Sequence, residues 1–296
     1  MNKIIVVLGP TAVGKTKLSI QLAKYYDGEI INADSMQFYK GLDIGTAKVK
    51  ENEKENIKHH LFDILDVSEN YSIYNYQKDG RRKIEEIKSR NKNVIIVGGT
   101  GLYIKALLYD YNLNEEKIND TYEDISTDDL YNRLLELDKD TKVDKNNRVR
   151  IIRAINYYLE NNNSISNNKT DKLLYDVIFI GLTTDRKDLY DKINNRVDEM
   201  IKEGLLEEVK YFYDNKIYTK PLINGIGYKE LYSYFDKKIS MDEAICLIKK
   251  NSRRYAKRQF TFFKNQISNI KWFDTDYDNF ENTVDSVIEY IDKKIN

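Results

Sequence analysis

One stretch near the start of the chain constrains its fold more than any other. Residues 9–16 read Gly-Pro-Thr-Ala-Val-Gly-Lys-Thr, which matches the phosphate-binding pattern G-x-x-x-x-G-K-[ST]. The apolar run from Lys3 to Leu8 predicts a buried parallel strand before it, and apolar residues at helical spacing follow from Thr16 to Tyr26. A strand, a glycine-rich turn and a helix in this order predict an α/β fold with a P-loop.

The P-loop predicts a site for phosphate. The backbone N–H groups of such a loop, and the N-terminus of the helix after it, face a bound anion. Lys15 adds positive charge, and the Thr16 hydroxyl can coordinate Mg²⁺. The pattern leaves open whether the phosphate belongs to ATP or to another ligand, and a chance match in an ordinary turn is the alternative. The residues that we expect at the phosphate are Gly9, Pro10, Thr11, Ala12, Val13, Gly14, Lys15 and Thr16.

The composition limits the class of protein. A chain of 296 residues with 41% apolar side chains predicts one large domain, or a core with an appended piece. No apolar run is long enough to span a membrane, so we expect no membrane partner. The single cysteine, Cys246, argues against a disulfide framework and a cysteine zinc site. The first strand begins almost at the N-terminus, so we expect no signal peptide, and the low cysteine content predicts a reducing, cytoplasmic setting.

A carboxylate follows the second predicted strand. Ile30 and Ile31 are the apolar centre of that strand, and Asp34 and Ser35 come directly after it. Ligands of open α/β sheets bind at the carboxyl ends of the strands. Asp34 could therefore coordinate Mg²⁺ or act as a general base. The alternative is that Asp34 or Ser35 only caps the turn that follows.

The strand predicted from Asn93 to Val97 ends in glycine and threonine. The sequence there is Gly98-Gly99-Thr100-Gly101, where P-loop ATPases tend to place an aspartate that holds Mg²⁺. The glycines let the backbone approach a ligand closely, and a hydroxyl replaces the acid. This pattern predicts a P-loop fold without the usual apparatus for ATP hydrolysis. Alternatively, the glycines serve a tight turn and Thr100 caps the next helix.

The middle of the chain changes its charge abruptly. Residues 113–144 carry 11 acidic and four basic side chains, and their leucine spacing predicts an acidic helical insertion into a core formed by residues 1–112 and 145–296. The helix that we expect after the insertion carries Arg148, Arg150 and Arg153, which suit phosphate contacts or are ordinary solvated arginines. The stretch 160–172, rich in Asn, Ser and Lys, predicts a flexible loop.

A basic stretch lies near the C-terminus. Residues 244–273 carry eight lysines and arginines and no acid. On the predicted helix, Arg253, Arg254, Lys257 and Arg258 alternate with aromatic side chains such as Phe260. Basic residues beside aromatics suit an RNA strand with unstacked bases. The alternative is an amphipathic helix whose aromatic side chains belong to the core.

Several of these stretches together resemble one family, the bacterial tRNA dimethylallyltransferases. The matches occur in one order along most of the chain, and the resemblance implies a P-loop NTPase-like core with a parallel sheet flanked by helices, plus a small helical insertion domain. Besides the P-loop, the matching stretches are Asp34-Ser35-Met36-Gln37, residues 39–48, His59-His60-Leu61, residues 98–103, Asn147-Arg148, Arg196-Val197, Gly204-Leu205, Gly225-Ile226-Gly227-Tyr228, and Arg254 with Arg258-Gln259.

The resemblance also implies a reaction. An enzyme of this family transfers a dimethylallyl group from dimethylallyl diphosphate to N6 of adenosine 37 in tRNAs that read codons beginning with U, and releases diphosphate. The implied catalytic residues are Asp34, which accepts the N6 proton, Thr100 beside the reacting centre, and Arg196 on the diphosphate. Mg²⁺ held at Thr16 is the implied cofactor, and we expect a monomer that binds dimethylallyl diphosphate.

The second implied partner is the anticodon stem-loop of tRNA. Three other functions stay open from the sequence: prenylation of free adenine nucleotides, phosphorylation of a small molecule with Asp34 as base, and RNA binding without catalysis. The residues that match tRNA contacts of the family are Asp34, Ser35, Met36, Gln37, Thr100, Asn147, Arg148, Val149, Arg150, Gly225, Gly227, Tyr228, Lys229, Arg254 and Arg258.

Overall fold

The structure is a computed structural model that describes residues 3–111, 113, 122–165 and 169–295. Part of the predicted acidic insertion, residues 114–121, therefore lies outside the described residues. The chain forms two compact units. The first unit consists of Met1–Leu107 and Tyr175–Asn296, and the second unit consists of Leu108–Leu174.

Strands and helices alternate through most of the chain. Among the described residues, no helix has both the length and the apolar character needed to cross a membrane. In chain order the elements are β1 (Ile4–Leu8), α1 (Lys15–Tyr25), β2 (Gly28–Asn32), β3 (His59–His60), α2 (Ile73–Ser89), β4 (Asn93–Gly98), α3 (Gly101–Leu108), β5 (Tyr109–Tyr111), α4 (Thr127–Leu137), α5 (Arg148–Asn161), β6 (Lys169–Leu173), β7 (Val177–Thr183), α6 (Arg186–Glu203), α7 (Leu205–Asp214), α8 (Lys220–Asn224), α9 (Tyr228–Phe235), α10 (Met241–Gln266), β8 (Lys271–Asp274) and α11 (Phe280–Ile295).

The first unit is built on a six-stranded sheet with the order β3-β2-β4-β1-β7-β8. Its strands pair in parallel, and Leu8 at the end of β1 stands beside Gly98 of β4 and Gly181 of β7. All five residues of β1 are buried, which confirms the buried parallel strand predicted there. The segments that follow β1, β2 and β4 leave the sheet at the same edge, so they can share one site.

Helices cover both faces of this sheet. On one face, Leu18 and Leu22 of α1 and Val287 of α11 pack with alternate strand residues such as Ile5 and Val7. Helix α2 contacts β2 and β4, and the Tyr76 hydroxyl donates a hydrogen bond of 3.0 Å to the Asn32 carbonyl oxygen. The α/β class and the P-loop core with a flanked parallel sheet are therefore confirmed.

A second apolar core joins helices α6 to α10 of the same unit. Its buried centre includes Leu205 of α7, Leu231 of α9 and Ile248 of α10. Leu42, in the loop after β2, is fully buried in this core. Burial of Leu42 fixes the loop after β2, at the carboxyl edge of the sheet, onto these helices.

The second unit is larger than the predicted insertion. Leu130 and Leu134 of α4 pack against Ile151 and Ile155 of α5. Helix α5 therefore belongs to the second unit, whereas the sequence pattern had the core resume at residue 145. The apolar face of α5 finds its partner in α4, and charge alone does not reveal that pairing.

The predicted loop 160–172 differs from the structure at its end. Residues Lys169–Leu173 form strand β6, which pairs antiparallel with β5, Tyr109–Tyr111. The partner strand lies far earlier in the chain, so the strand depends on a non-local contact. Its polar composition resembles that of a loop because the local sequence carries no alternating apolar pattern.

Candidate functional site

The P-loop has the backbone that its glycines predict. Gly14 stands at the N-terminus of α1 with a φ of 89°, in the left-handed region. A Cβ atom at this position would lie 2.6 Å from the Phe280 ring, so only glycine fits. The Lys15 ammonium group donates a hydrogen bond of 2.7 Å to the Pro10 carbonyl oxygen. The side chain of Lys15 therefore folds back over the P-loop and contacts its backbone.

Asp34 leaves the end of β2 and is held by the turn after β4. Its backbone N–H donates to the Asn32 side-chain oxygen at 2.8 Å. Its carboxylate accepts hydrogen bonds from the Gly99 N–H and from the Thr100 hydroxyl, the second at 3.5 Å. The Asp34 side chain makes no capping hydrogen bond to the short 3₁₀ helix Ser35–Phe38 that follows. This geometry excludes the alternative in which Asp34 only caps that turn.

Thr100 connects the two turns. Its hydroxyl oxygen accepts a hydrogen bond of 3.2 Å from the Ser35 N–H and also contacts Asp34. Gly98, which precedes this turn, has no space for a side chain, since a Cβ atom would lie 2.3 Å from the Ala33 carbonyl oxygen. The close approach of β2 and β4 thus brings Asp34 and Thr100 together.

Two half-buried cations, Lys15 and Arg196, act electrostatically on Asp34. Burial raises the pKa of the Asp34 carboxyl group, and the charge of Lys15, the Gly99 N–H, the charge of Arg196 and the Thr100 hydroxyl oppose that rise. Burial lowers the pKa of Lys15 to about 8, although the Asp34 charge opposes the shift. Burial also lowers the pKa of the Arg196 guanidinium group. Titratable groups of opposite charge with shifted pKa values, at the carboxyl ends of parallel strands, are typical of a functional site.

Arg196 reaches the P-loop from helix α6. Its guanidinium group donates a hydrogen bond of 3.2 Å to the Thr11 hydroxyl oxygen. Ile193 and Val197, one turn before and one residue after it, are buried and fix the helix against the core. The helix thereby directs a half-buried cation at the phosphate-binding loop.

A cavity of about 350 Å³ opens beside these groups. Thr11, Asp34 and Arg196 line one side of it, and apolar side chains that include Met200 and Ile248 line another. A smaller recess shares Thr11, Asp34 and Arg196 with the cavity and is also lined by Lys15 and Thr16. Asp34 therefore stands between a recess with phosphate-binding groups and a larger, partly apolar cavity.

Most of the predicted binding residues of the first unit line this cavity or the smaller recess. Gln37 lines the smaller recess with Lys15 and Thr16. Arg254 is absent from the lining that is described and is exposed on α10. The predicted residues that line the larger cavity are Thr11, Asp34, Ser35, Met36, Arg196, Gly225, Gly227, Tyr228, Lys229 and Arg258.

Helix α10 has features of both structures predicted for the basic stretch, a basic surface for RNA and an amphipathic helix with aromatic side chains in the core. Phe263 is fully buried, and the Phe260 ring packs against the Trp272 ring with centroids 5.1 Å apart. Arg254, Lys257 and Arg258 are exposed on the same helix. Phe263 therefore belongs to the core and Phe260 packs partly buried, while the three cations form a surface that we call the α10 basic face.

Four predicted tRNA-binding residues belong to the second unit. The Asn147 side chain caps α5 by accepting a hydrogen bond of 3.2 Å from the Arg150 N–H. The Arg148 guanidinium group donates to the carbonyl oxygens of Ile125, at 2.6 Å, and of Tyr122. Val149 and Arg150 are exposed. Arg148 therefore has a structural role within its unit, and RNA contact by these four residues stays a prediction.

The sequence reasoning assigned no role to Glu208, which shapes the cavity from α7. Its carboxylate accepts hydrogen bonds from the backbone N–H groups of Asp43, Ile44 and Gly45. It also accepts one of 2.6 Å from the hydroxyl of Tyr228, a residue of the cavity wall. No local motif marks this glutamate, because its partners come from a loop far earlier in the chain.

Comparison with known proteins identifies a family whose members are similar to this chain. The model of the IPP transferase family matches residues 37–266. The chain is 48% identical to the tRNA dimethylallyltransferase of Anoxybacillus flavithermus (strain DSM 21510 / WK1), over 99% of this chain and 97% of that protein.

Solved structures agree with the sequence comparison. The full-length tRNA isopentenylpyrophosphate transferase of Bacillus halodurans is 39% identical, with a TM-score of 0.78 over 99% of this chain and 97% of that one. A eukaryotic dimethylallyltransferase acting on tRNA is 31% identical, with a TM-score of 0.87 over 99% of this chain and 80% of that one. The agreement of motifs, fold and nearly full-length similarity leads to one assignment: the chain belongs to the IPP transferase family.

Proposed function

We propose that this protein is a tRNA dimethylallyltransferase that modifies N6 of adenosine 37 in tRNAs reading codons that begin with U. The observation that carries the proposal is the position of Asp34 between the recess lined by Lys15 and Thr16 and the larger cavity. A diphosphate in the recess and an adenine in the cavity would meet at this carboxylate. Relatives whose names state the same activity support the assignment.

The recess suits the diphosphate of the donor. P-loop N–H groups, Lys15 and Arg196 surround it with positive charge. The allylic C1–O bond breaks as the leaving diphosphate gains charge, and these groups stabilise that charge. The hydrogen bond from Arg196 to Thr11 connects helix α6 to the P-loop.

The recess suits an Mg²⁺ ion that is bound by few protein side chains and mainly by the phosphates of the substrate. Within the described ranges, no group of three or more His, Cys, Asp or Glu side chains could hold a metal ion. The Thr16 hydroxyl lines the recess and is a hard oxygen ligand of the kind that Mg²⁺ accepts together with substrate phosphates. When bound there, Mg²⁺ would neutralise charge on the leaving diphosphate.

Asp34 suits the role of general base. The N6 nitrogen of adenine attacks the allylic carbon, a C–N bond forms, and the N6 proton passes to the Asp34 carboxylate. Thr100 and the Gly99 N–H fix that carboxylate in place. Catalysis then depends on positioning and on stabilisation of the leaving group, and no covalent enzyme intermediate is required.

The acceptor surface suits a tRNA anticodon loop. The target base must leave its stack to reach Asp34. Ser35, Met36 and Lys229 line the cavity that would receive it. The α10 basic face offers exposed cations for the phosphate backbone. We propose that the protein acts as a monomer in the cytoplasm.

A transfer assay tests the function directly. Purified protein is mixed with Mg²⁺, labelled dimethylallyl diphosphate and unmodified tRNA, with AMP as a competing acceptor. We expect label at adenosine 37 of the tRNA. Label in AMP alone would assign the protein to nucleotide prenylation, and label in neither acceptor would contradict prenyl transfer and lead to assays with ATP.

The alkaline side of the pH profile should report Lys15. Because its pKa is lowered to about 8, a rise in pH through this value removes the positive charge from the free enzyme. Without this charge the diphosphate is bound and stabilised less well. We therefore expect kcat/KM for dimethylallyl diphosphate to fall as the pH rises above about 8. Lys15→Arg, whose side chain stays charged, is the control. The same alkaline fall in that variant would contradict the assignment.

The α10 basic face should set the salt dependence of tRNA binding. Replacing Arg254 and Arg258 by alanine removes two exposed cations. We expect the slope of log K against log salt to become shallower by about 2, because each phosphate contact contributes about 0.9. The measurement is tRNA affinity at several salt concentrations.

The control for this pair is Lys293→Ala with Lys294→Ala, which removes the same charge from the exposed end of α11. An equal change of slope in both double variants would mean that net charge, and not the α10 basic face, governs binding. An unchanged slope in the arginine variant would make those side chains structural.

A further inference from the structure

The Gln259 side chain lies between the two halves of the site. It is 5% exposed on α10, although its neighbours Lys257 and Arg258 are exposed. The helix therefore turns this amide inward while its basic face points to solvent. The proposed reaction assigns no step to Gln259.

The two ends of this amide bind two different loops. Its oxygen accepts a hydrogen bond of 2.9 Å from the Thr11 backbone N–H. Its nitrogen donates one of 3.1 Å to the Gly99 carbonyl oxygen. Because an N–H can only donate and a carbonyl can only accept, the amide fits in one orientation, and a carboxylate or an apolar side chain cannot make both bonds.

Gly99 transmits this contact to the catalytic carboxylate. A Cβ atom on Gly99 would lie 2.1 Å from the Gln259 amide nitrogen and 3.4 Å from an Asp34 carboxylate oxygen. The Gly99 carbonyl accepts from Gln259, while its N–H donates to Asp34. A displacement of Gly99 would therefore also displace the hydrogen-bond donor of Asp34.

Tyr255, one turn earlier on the same helix, supports the arrangement. Its hydroxyl hydrogen-bonds with the side chains of Thr100 and Gln259. Thr100 in turn contacts the Asp34 carboxylate at 3.5 Å. One helical face thus contacts the P-loop, the β4–α3 turn and, through Thr100, the proposed base.

We propose that Gln259 is a positioning residue that sets the separation between the diphosphate-binding loop and Asp34. The inference rests on the proposed function, in which the leaving diphosphate and the attacking nitrogen lie on opposite sides of one carbon. Such a displacement requires both partners to be held at near-attack geometry. A single buried amide that binds Thr11 at one end and Gly99 at the other supplies that constraint.

The test compares Gln259→Met with Gln266→Met. Gln266 is the exposed last residue of the same helix, so it controls for the chemical change. We expect Gln259→Met to lower kcat about 10²-fold, the size of effect that a small misplacement causes. The KM for tRNA should stay unchanged, because the α10 basic face remains.

The acid side of the kcat profile provides a second readout. In Gln259→Met the Gly99 N–H supports the Asp34 carboxylate less well, so the acid limb should move to higher pH. The other groups facing Asp34, which are Lys15, Arg196, Thr100 and Tyr255, keep their identity in this variant. A general loss of folded protein would lower the rate without this shift.

Two results would overturn the proposal. One is a kcat for Gln259→Met within about twofold of that for Gln266→Met, far from the roughly 10²-fold expected. The other is a loss of kcat matched by an equal rise in the KM for tRNA, with no movement of the acid limb. Should Gln259→Met fail to fold, Gln259→Glu replaces it, because an ionised glutamate keeps the acceptor for Thr11 but has no donor for Gly99.

Calorimetry with Mg²⁺ and inorganic diphosphate separates this inference from the proposed function. If the wild-type protein transferred no dimethylallyl group, the function would fail, but diphosphate affinity would still report on the loop. We expect Gln259→Met to bind diphosphate about tenfold more weakly than Gln266→Met, the usual effect of losing one hydrogen bond. Equal affinities would overturn the role of Gln259 at the P-loop.

Discussion

Replacing Asp34 by asparagine should lower the turnover number by about 10²–10⁴-fold, the usual cost of losing a general base. The variant keeps the size of the side chain but cannot accept the N6 proton at neutral pH. Affinity for tRNA should change little, because the α10 basic face is untouched. Single-turnover transfer of label, together with tRNA binding at fixed salt, measures both quantities.

The matched control is Asp27→Asn. Asp27 precedes the same strand, β2, at its opposite end, and its exposed side chain pairs with Lys92. This variant should keep wild-type turnover. Asp34 would lose its place in the mechanism if Asp34→Asn were as active as Asp27→Asn, or if its rate loss were explained by weaker tRNA binding.

Replacing Lys15 by methionine should reduce kcat/KM for dimethylallyl diphosphate by about 10²–10³-fold, the effect of removing one group that stabilises developing charge. The lysine is half-buried, and its ammonium group donates a hydrogen bond to the Pro10 carbonyl oxygen of the P-loop. Because its pKa is lowered by desolvation, the ammonium group is less hydrated than a surface lysine, and its charge acts on the leaving group with less screening by water. The expected loss appears in use of the donor and spares tRNA affinity.

Lys17→Met is the control for this change. Lys17 lies two residues further along α1, is exposed, and stands over the Phe280 ring. We expect near wild-type use of dimethylallyl diphosphate from this variant. Equal effects in the two variants would show that the charge of the helix N-terminus, and not Lys15 itself, stabilises the diphosphate.

Much of the core followed from local patterns. The apolar runs at β1 and β4 and the glycine-rich turn after β1 are continuous in sequence, and the structure confirms them as strands and a P-loop. Because parallel strands end at one edge, the same patterns placed Asp34 and Thr100 near the P-loop. Their contact at 3.5 Å agrees with that expectation.

The second unit shows where local patterns fail. Strand β6 was predicted as a loop, because a polar strand is stabilised by its partner and not by its own composition. Helix α5 was assigned to the core by the return of basic charge, but its apolar face packs on α4. The sequence did not reveal a further role of Arg148, whose guanidinium group binds the backbone carbonyls of Ile125 and Tyr122.

The sequence by itself determined the P-loop and the parallel sheet, because each has a local pattern, and it placed Asp34 and Thr100 at the ends of predicted strands. The catalytic roles of Asp34, Thr100 and Arg196 followed from the resemblance to the family. Tertiary structure alone decided how these groups act on one another. The lowered pKa of Lys15 depends on burial by distant segments, and the roles of Glu208 and Gln259 depend on backbone groups far away in the chain. Hydrogen bonds and desolvation act through space, so no spacing within the sequence encodes them.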